Sequence, residues 1–172
     1  MTMAPGLRKL ALTVHLASSV GWIGAVVAYL ALGLAAATSR DAQTVRAAWI
    51  AMEVTGWYVL VPLALASLLI GLVQALGTPW GLVRHYWVLA KFLLTVFATI
   101  VLLLHMPSVS HFAGVAAETD GADRGGLRGE LLRAGGGLLV LLVATILSVY
   151  KPRGLTPYGW RKQHQQRPVS QA

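Results

Sequence analysis

The sequence predicts an all-α fold, a membrane-spanning four-helix bundle. Two observations carry that prediction. Four long stretches are wholly or almost free of Asp, Glu, Lys and Arg, and charged residues make up only 12% of the chain against 56% hydrophobic. A water-soluble domain carries about 25% charged residues. A third observation, the unequal division of Lys and Arg between the connecting segments, gives the orientation.

A helix needs roughly 20 largely apolar residues to cross a hydrocarbon core about 30 Å thick. The first stretch, 10–39, has 30 residues without a charge. It predicts a helix over 9–37, too long for a cleaved leader and therefore a permanent span. The second, 54–83, is equally long. Its helix is predicted over 54–77, because Gly77 accepts a left-handed C-terminal turn and Pro79 cannot continue the ladder. Asp41 is placed to cap a helical approach that starts ahead of this span. Pro62 lies inside it, where a kink is tolerated.

The third stretch, 86–105, is interrupted only by Lys91. Pro107 predicts an end at 106, followed by a separate interfacial helix over 107–118 and a Gly/Asp/Arg-rich loop. The fourth, 134–150, has 17 uncharged residues, and Leu131 and Leu132 extend it to spanning length. Its helix is predicted over 131–150. Residues 1–150 thus form the bundle, and 151–172 form a basic, disordered tail lying on lipid headgroups. Trp22, Trp57, Trp80, Trp87, Trp160 and Tyr86 read as interfacial belt residues by position.

With four spans, both termini share one side. That side holds Arg8, Lys9, Arg84, Lys91, Lys151, Arg153, Arg161, Lys162 and Arg167 and no acid. The other holds Arg40, Arg46, Arg124, Arg128 and Arg133 together with all six acids. The basic excess assigns the termini to the cytoplasm and the chain to the cell membrane. A formal charge of +8 in so apolar a chain points to anionic lipid as partner, not to nucleic acid.

The absence of cysteine excludes disulfides, iron–sulfur clusters and thiol chemistry. No phosphate-binding G-x-x-x-x-G-K pattern occurs. Small residues at Ala17, Gly21 and Ala25, at Gly24 and Ala28, and at 135–137 offer faces for close helix packing. That packing is within the bundle, with a second copy, or with a membrane-protein partner.

Three ionisable residues fall within spans: His15, Lys91 and His105. Each is a functional candidate because burial in lipid is costly. His15 and Lys91 both lie about five residues past the inner ends of their helices, roughly 8 Å deep, and are expected to meet. Trp22 follows His15 on nearly the same helical face, and His85 and Arg84 lie at the inner interface. One reading is structural: Lys91 snorkels to headgroups, His15 bonds a neighbouring backbone, and His105 caps its helix. The other is a cofactor site. His15 with His85 would ligate haem, with Lys91 and Arg84 as cations for its propionates. At the opposite end His105, His111 and Met106 would hold a softer metal such as copper. The expected neighbours of His105 there include Glu53 and Tyr58.

The run from His15 to Gly24, H-x(6)-W-x-G, resembles the first helix of a group of small bacterial membrane proteins. The group includes the copper-resistance D family and the haem-binding, four-helix membrane protoporphyrinogen oxidases. The segment Trp87-Val-Leu-Ala-Lys91 is similar to the start of a later helix in the oxidases. The resemblance implies roles in haem b binding for His15 and Lys91. The sequence departs from the oxidases in that His105 follows Lys91 at a longer interval.

Three functions are therefore weighed. An accessory or interaction subunit is the leading expectation, given the small-residue faces. A haem- or metal-binding redox protein using His15 with His85 or Lys91 is the alternative. A transporter is disfavoured by span centres rich in Leu, Val, Ala and Gly.

Overall fold

The computed structural model describes residues 3–77, 82, 85–118, 126–150, 154, 156, 157, 160 and 161. Four helices are long and apolar enough to cross a membrane: α1 (Pro5–Thr38), α2 (Ala42–Gly77), α3 (Tyr86–Glu118) and α4 (Leu127–Tyr150). Each packs on the next, and α4 packs back on α1, closing an antiparallel bundle. The start of α1 meets the end of α2 through Met3 N–H donating to the Gly77 carbonyl at 3.3 Å. Tyr86 N–H donates to the Gly154 carbonyl at 3.4 Å, which returns the chain after α4 to the same end. We call this the terminal end and the opposite one the cap end.

The helix boundaries bear out one expectation, the Asp41-capped approach to the second span, and correct two. α2 begins at Ala42, far ahead of residue 54, because Asp41 caps it: its carboxylate accepts from Gln43 N–H at 3.2 Å and Thr44 N–H at 3.0 Å. α4 begins at Leu127, before residue 131. The larger correction is at Pro107, which does not end α3; the helix runs through it to Glu118. Val109, Ala113 and Ala116 beyond it are buried against the other helices, and that packing offsets the lost hydrogen bond. In α2 the helix also stays continuous at Pro62. A π-turn over Gly56–Leu60 lies just ahead of the proline and absorbs the fault in the ladder.

The long helices have a consequence. At 1.5 Å per residue the 34 residues of α1 and the 33 of α3 measure about 50 Å each, against about 30 Å of hydrocarbon. The excess lies at the cap end. Up to Leu104 the outward residues of α3 are Leu93, Phe97, Ile100 and Leu103, as lipid requires. Beyond it they are Ser108, His111, Gly114 and Glu118, with Gln43 and Arg46 on α2 and Arg128 on α4. The surface turns polar while the interior becomes drier. Val45, Trp49, Met52, Leu127 and Ala36 are buried there, and Trp49 stacks on Phe112 with ring centroids 5.1 Å apart. The cap end thus has a buried helical core continuous with the spans, under a surface where polar residues mix with exposed Leu34 and Ile50.

Within the spans, α1 buries Trp22, Val26, Tyr29, Gly33 and Ala36, a 4-3-4-3 spacing that keeps one seam facing its neighbours. Trp22 is therefore a core residue, not a belt residue. Trp57, Tyr86 and Trp160 are exposed and suit the belt; Trp80 lies outside the described residues. Of the small-residue faces, Gly21 meets Leu63 at ordinary contact distance, whereas Gly24 and Gly135, Gly136 and Gly137 have no atom near enough to touch a methyl group placed there. Among the described residues, the expected close packing is absent at these four positions. Of the tail, Thr156 is buried and accepts from Trp160 N–H at 2.9 Å; most of 151–172 lies outside the described residues.

Candidate functional site

Near the terminal end, α1, α2 and α3 enclose a cavity of about 270 Å³. α1 is anchored to α2 here by side chains. Gln74 Nε2 donates to the Ala11 carbonyl at 2.7 Å, and the Ser19 and Ser67 hydroxyls bond each other at 2.8 Å. These bonds fix the height of His15, whose ring lies against Gly71. A Cβ on Gly71 would stand 3.0 Å from His15 Cε1, so glycine is what allows the imidazole to lie there. His15 Nδ1 is buried and has no hydrogen-bond partner. Leaving such a nitrogen unpaired is costly, so a small turn of the ring towards the cavity, where a partner could be met, would be favoured.

Lys91 lines the same cavity from α3, its ammonium 5.6 Å from the Trp87 ring centroid. Arg8 lines the mouth. Leu12, Leu68, Ala75, Val88 and Phe92 supply apolar wall. The cavity is thus an oily pocket with one unsatisfied imidazole and two cations, Arg8 and Lys91. Arg8 entered the sequence reading only as part of the charge balance, because its reach onto the cavity depends on the tilt of α1.

His15 and Lys91 are brought together as expected, and Trp22 meets both on a smaller cavity of about 70 Å³; His85 is not brought in. The His85 carbonyl accepts from Val88 and Leu89 N–H at the start of α3, and its ring sits 6.4 Å from that of Trp87. His85 is not on the cavity wall. Arg84 lies outside the described residues. Trp22 stands deeper, on two smaller cavities. For haem, the residues present supply one imidazole, propionate-binding cations and an apolar wall, while about 270 Å³ holds only part of the macrocycle and leaves its far edge towards lipid. The geometry supplies no second imidazole from His85.

A second cluster lies towards the cap end, and the sequence reading missed its central member. Glu130, buried on α4, accepts from the Tyr29 hydroxyl at 2.6 Å through Oε1 and pairs with His105 Nε2 through Oε2. Arg133 Nη1 stands 3.4 Å from the same His105 nitrogen. His105 therefore faces Glu130 and Arg133 instead of His111, Met106, Glu53 or Tyr58. Six residues along α3, His111 points to solvent with its ring against Phe112; Met106 is buried beside Gly56. The set His105, His111 and Met106 is not assembled. Among the described residues no three His, Asp or Glu side chains are placed to hold a metal ion.

Glu130 was counted with the acids of a connecting loop, because the span was predicted to start at residue 131, one position after it. One signal was available. Glu130 and Arg133 flank two leucines at helical spacing, so both fall within a helix that begins earlier. No protein-family model matches the chain, and comparison with curated proteins and with solved structures likewise finds no match.

Proposed function

We propose that this chain is a ligand-binding membrane protein whose site is the cavity between His15 and Lys91. The ligand class is a flat or amphiphilic anion, with haem b as the first candidate. One observation carries the reading: an imidazole with a buried, unpartnered nitrogen shares an apolar cavity with the Lys91 ammonium. Imidazole supplies iron ligation, and Lys91 and Arg8 would hold carboxylates. The excess of basic residues at the terminal end orients that end, and the cavity mouth, towards the cytoplasm of a cell membrane.

Purification in mild detergent, with haem added, tests this. The expected result is a Soret band that His15→Ala removes and that Lys91→Ala weakens by lowering haem affinity. A wild-type protein that stays colourless after haem addition overturns the haem assignment. Reporter fusions at either terminus test the orientation; activity on the exterior would reverse it.

A second reading, an accessory or interaction subunit, is favoured by Gly24 and by Gly135, Gly136 and Gly137. A methyl group placed at any of them would touch nothing among the described residues; Gly24 and Gly136 are exposed, while Gly137 borders the cavity beside Glu130. Such faces suit a second copy or another membrane helix. Alanine at these four positions together would abolish an oligomer seen by cross-linking in membranes. An unchanged cross-linking pattern would remove this reading.

A further inference from the structure

The Glu130–His105 pair has no part in the site just described. An ionisable pair buried in a membrane bundle marks an ion or proton route by default, and the space beside this one limits what it could bind. The adjoining cavity measures about 70 Å³. A cavity that takes an aromatic ring needs about 150 Å³, while a water occupies about 30 Å³. The site thus admits about two waters and no organic ligand.

That cavity is the first of a series. It shares Trp22 and Leu141 with a second cavity, also about 70 Å³. The second is bordered by hydroxyls, those of Ser19, Ser67, Thr95 and Ser148. It shares His15, Ser67, Lys91 and Thr95 with the large cavity that reaches Arg8 at the terminal end. The polar groups of the first cavity, Tyr29, His105, Glu130 and Arg133, are therefore separated from the hydroxyls of the second by apolar wall, in which Trp22 and Leu141 form the shared collar. Apolar collars of this kind close a pore by excluding water.

We propose that the chain carries protons across the membrane along this series, with Glu130 and His105 as the cap-end exchange site and Trp22 and Leu141 as the gate. One proton lies between His105 Nε2 and Glu130 Oε2 at rest. Uptake of a second from cap-end water beside Arg133 gives imidazolium and carboxylic acid. The carboxylic acid releases one proton to water in the adjoining cavity, and the pair returns to its resting state. The reverse sequence moves protons outward, and the gradient alone drives it. The groups facing the pair are Tyr29 from α1 and Arg133 from α4, while α2 contributes the apolar Leu60 to the cavity wall.

The test is proton entry into protein-containing vesicles that hold a pH-sensitive dye, with an imposed pH gradient and a potassium ionophore. Trp22→Ala, or Leu141→Ala where the tryptophan variant does not fold, is expected to raise the rate severalfold above wild type. Glu130→Gln, which keeps an acceptor for Tyr29, is expected to return that rate to the protein-free level. Two results overturn the proposal. One is a gate variant, monodisperse and folded, that conducts no faster than protein-free vesicles. The other is a raised rate that Glu130→Gln leaves unchanged. Because His15 and Lys91 border the route, conduction is measured on haem-free protein, and failure there leaves the haem titration of the preceding reading unaffected.

Discussion

The Tyr29 hydroxyl donates to Glu130 Oε1 at 2.6 Å although 101 residues separate them. The bond ties α1 to α4 at the depth where lipid gives way to the cap, and the other carboxylate oxygen ties both to His105 on α3. Tyr29→Phe deletes the donor and keeps the ring. Hydrogen bonds inside membrane bundles are worth about 0.6 kcal/mol on average and up to about 1.7. Tyr29→Phe is therefore expected to lower stability by about 1 kcal/mol, read as a reduced unfolding midpoint in detergent. No change would show that the carboxylate finds another donor.

Trp49 and Trp57 are eight positions apart on α2 and should respond in opposite ways. Trp49 is fully buried and stacked on Phe112, so Trp49→Ala is expected to cost about 3–5 kcal/mol. Trp57 is 41% exposed, with Nε1–H donating to the Ser110 hydroxyl at 3.0 Å. Its replacement by Phe should change the unfolding midpoint little. Equal effects would contradict a buried core at the cap end.

Gly56 stands where a side chain would strike Met106: a Cβ there would lie 2.5 Å from Met106 Cε. Met106 is buried and has little room to move. Gly56→Ala should therefore destabilise the protein by about 1–3 kcal/mol through overpacking. Adding Met106→Ala should recover part of that loss. A double variant no better than the sum of its parts would show that the π-turn, not the contact, needs glycine.

Asp41 gives a pH dependence. The Thr44 hydroxyl, then the backbone N–H groups of Thr44 and Gln43, hold its carboxyl below the usual carboxylate range. A depressed folded pKa means the cap contributes fully above the unfolded value and is lost as pH falls through the folded one. Hydrogen-exchange protection at Gln43 and Thr44 should drop on acidification. In Asp41→Asn the drop should disappear, since the amide oxygen caps without titrating. Protection that falls equally in both proteins would assign the change to another group.

The four spans were legible because lipid imposes a crude constraint: about 20 residues without charge. The meeting of His15 and Lys91 was legible too, since counting residues from two helix ends gives depth. The cap was hidden for the same reason. Pro107 and Glu130 look like the end and the outside of a membrane segment when only lipid is considered. Burial against neighbouring helices keeps Pro107 helical and draws Glu130 inward, and packing of that kind leaves no periodic mark in a stretch that is apolar on every side. Gly71 was not singled out, because its role depends on a ring from another helix.

The unbroken passage of α3 through Pro107 leaves the molecule without a joint at the membrane surface. The α3 rod that brings Phe112 to its stack on Trp49 also carries His105 and Met106. Torque applied to the protruding tower, by an antibody fragment or a docking protein, is delivered down stiff levers to the Glu130–His105 pair.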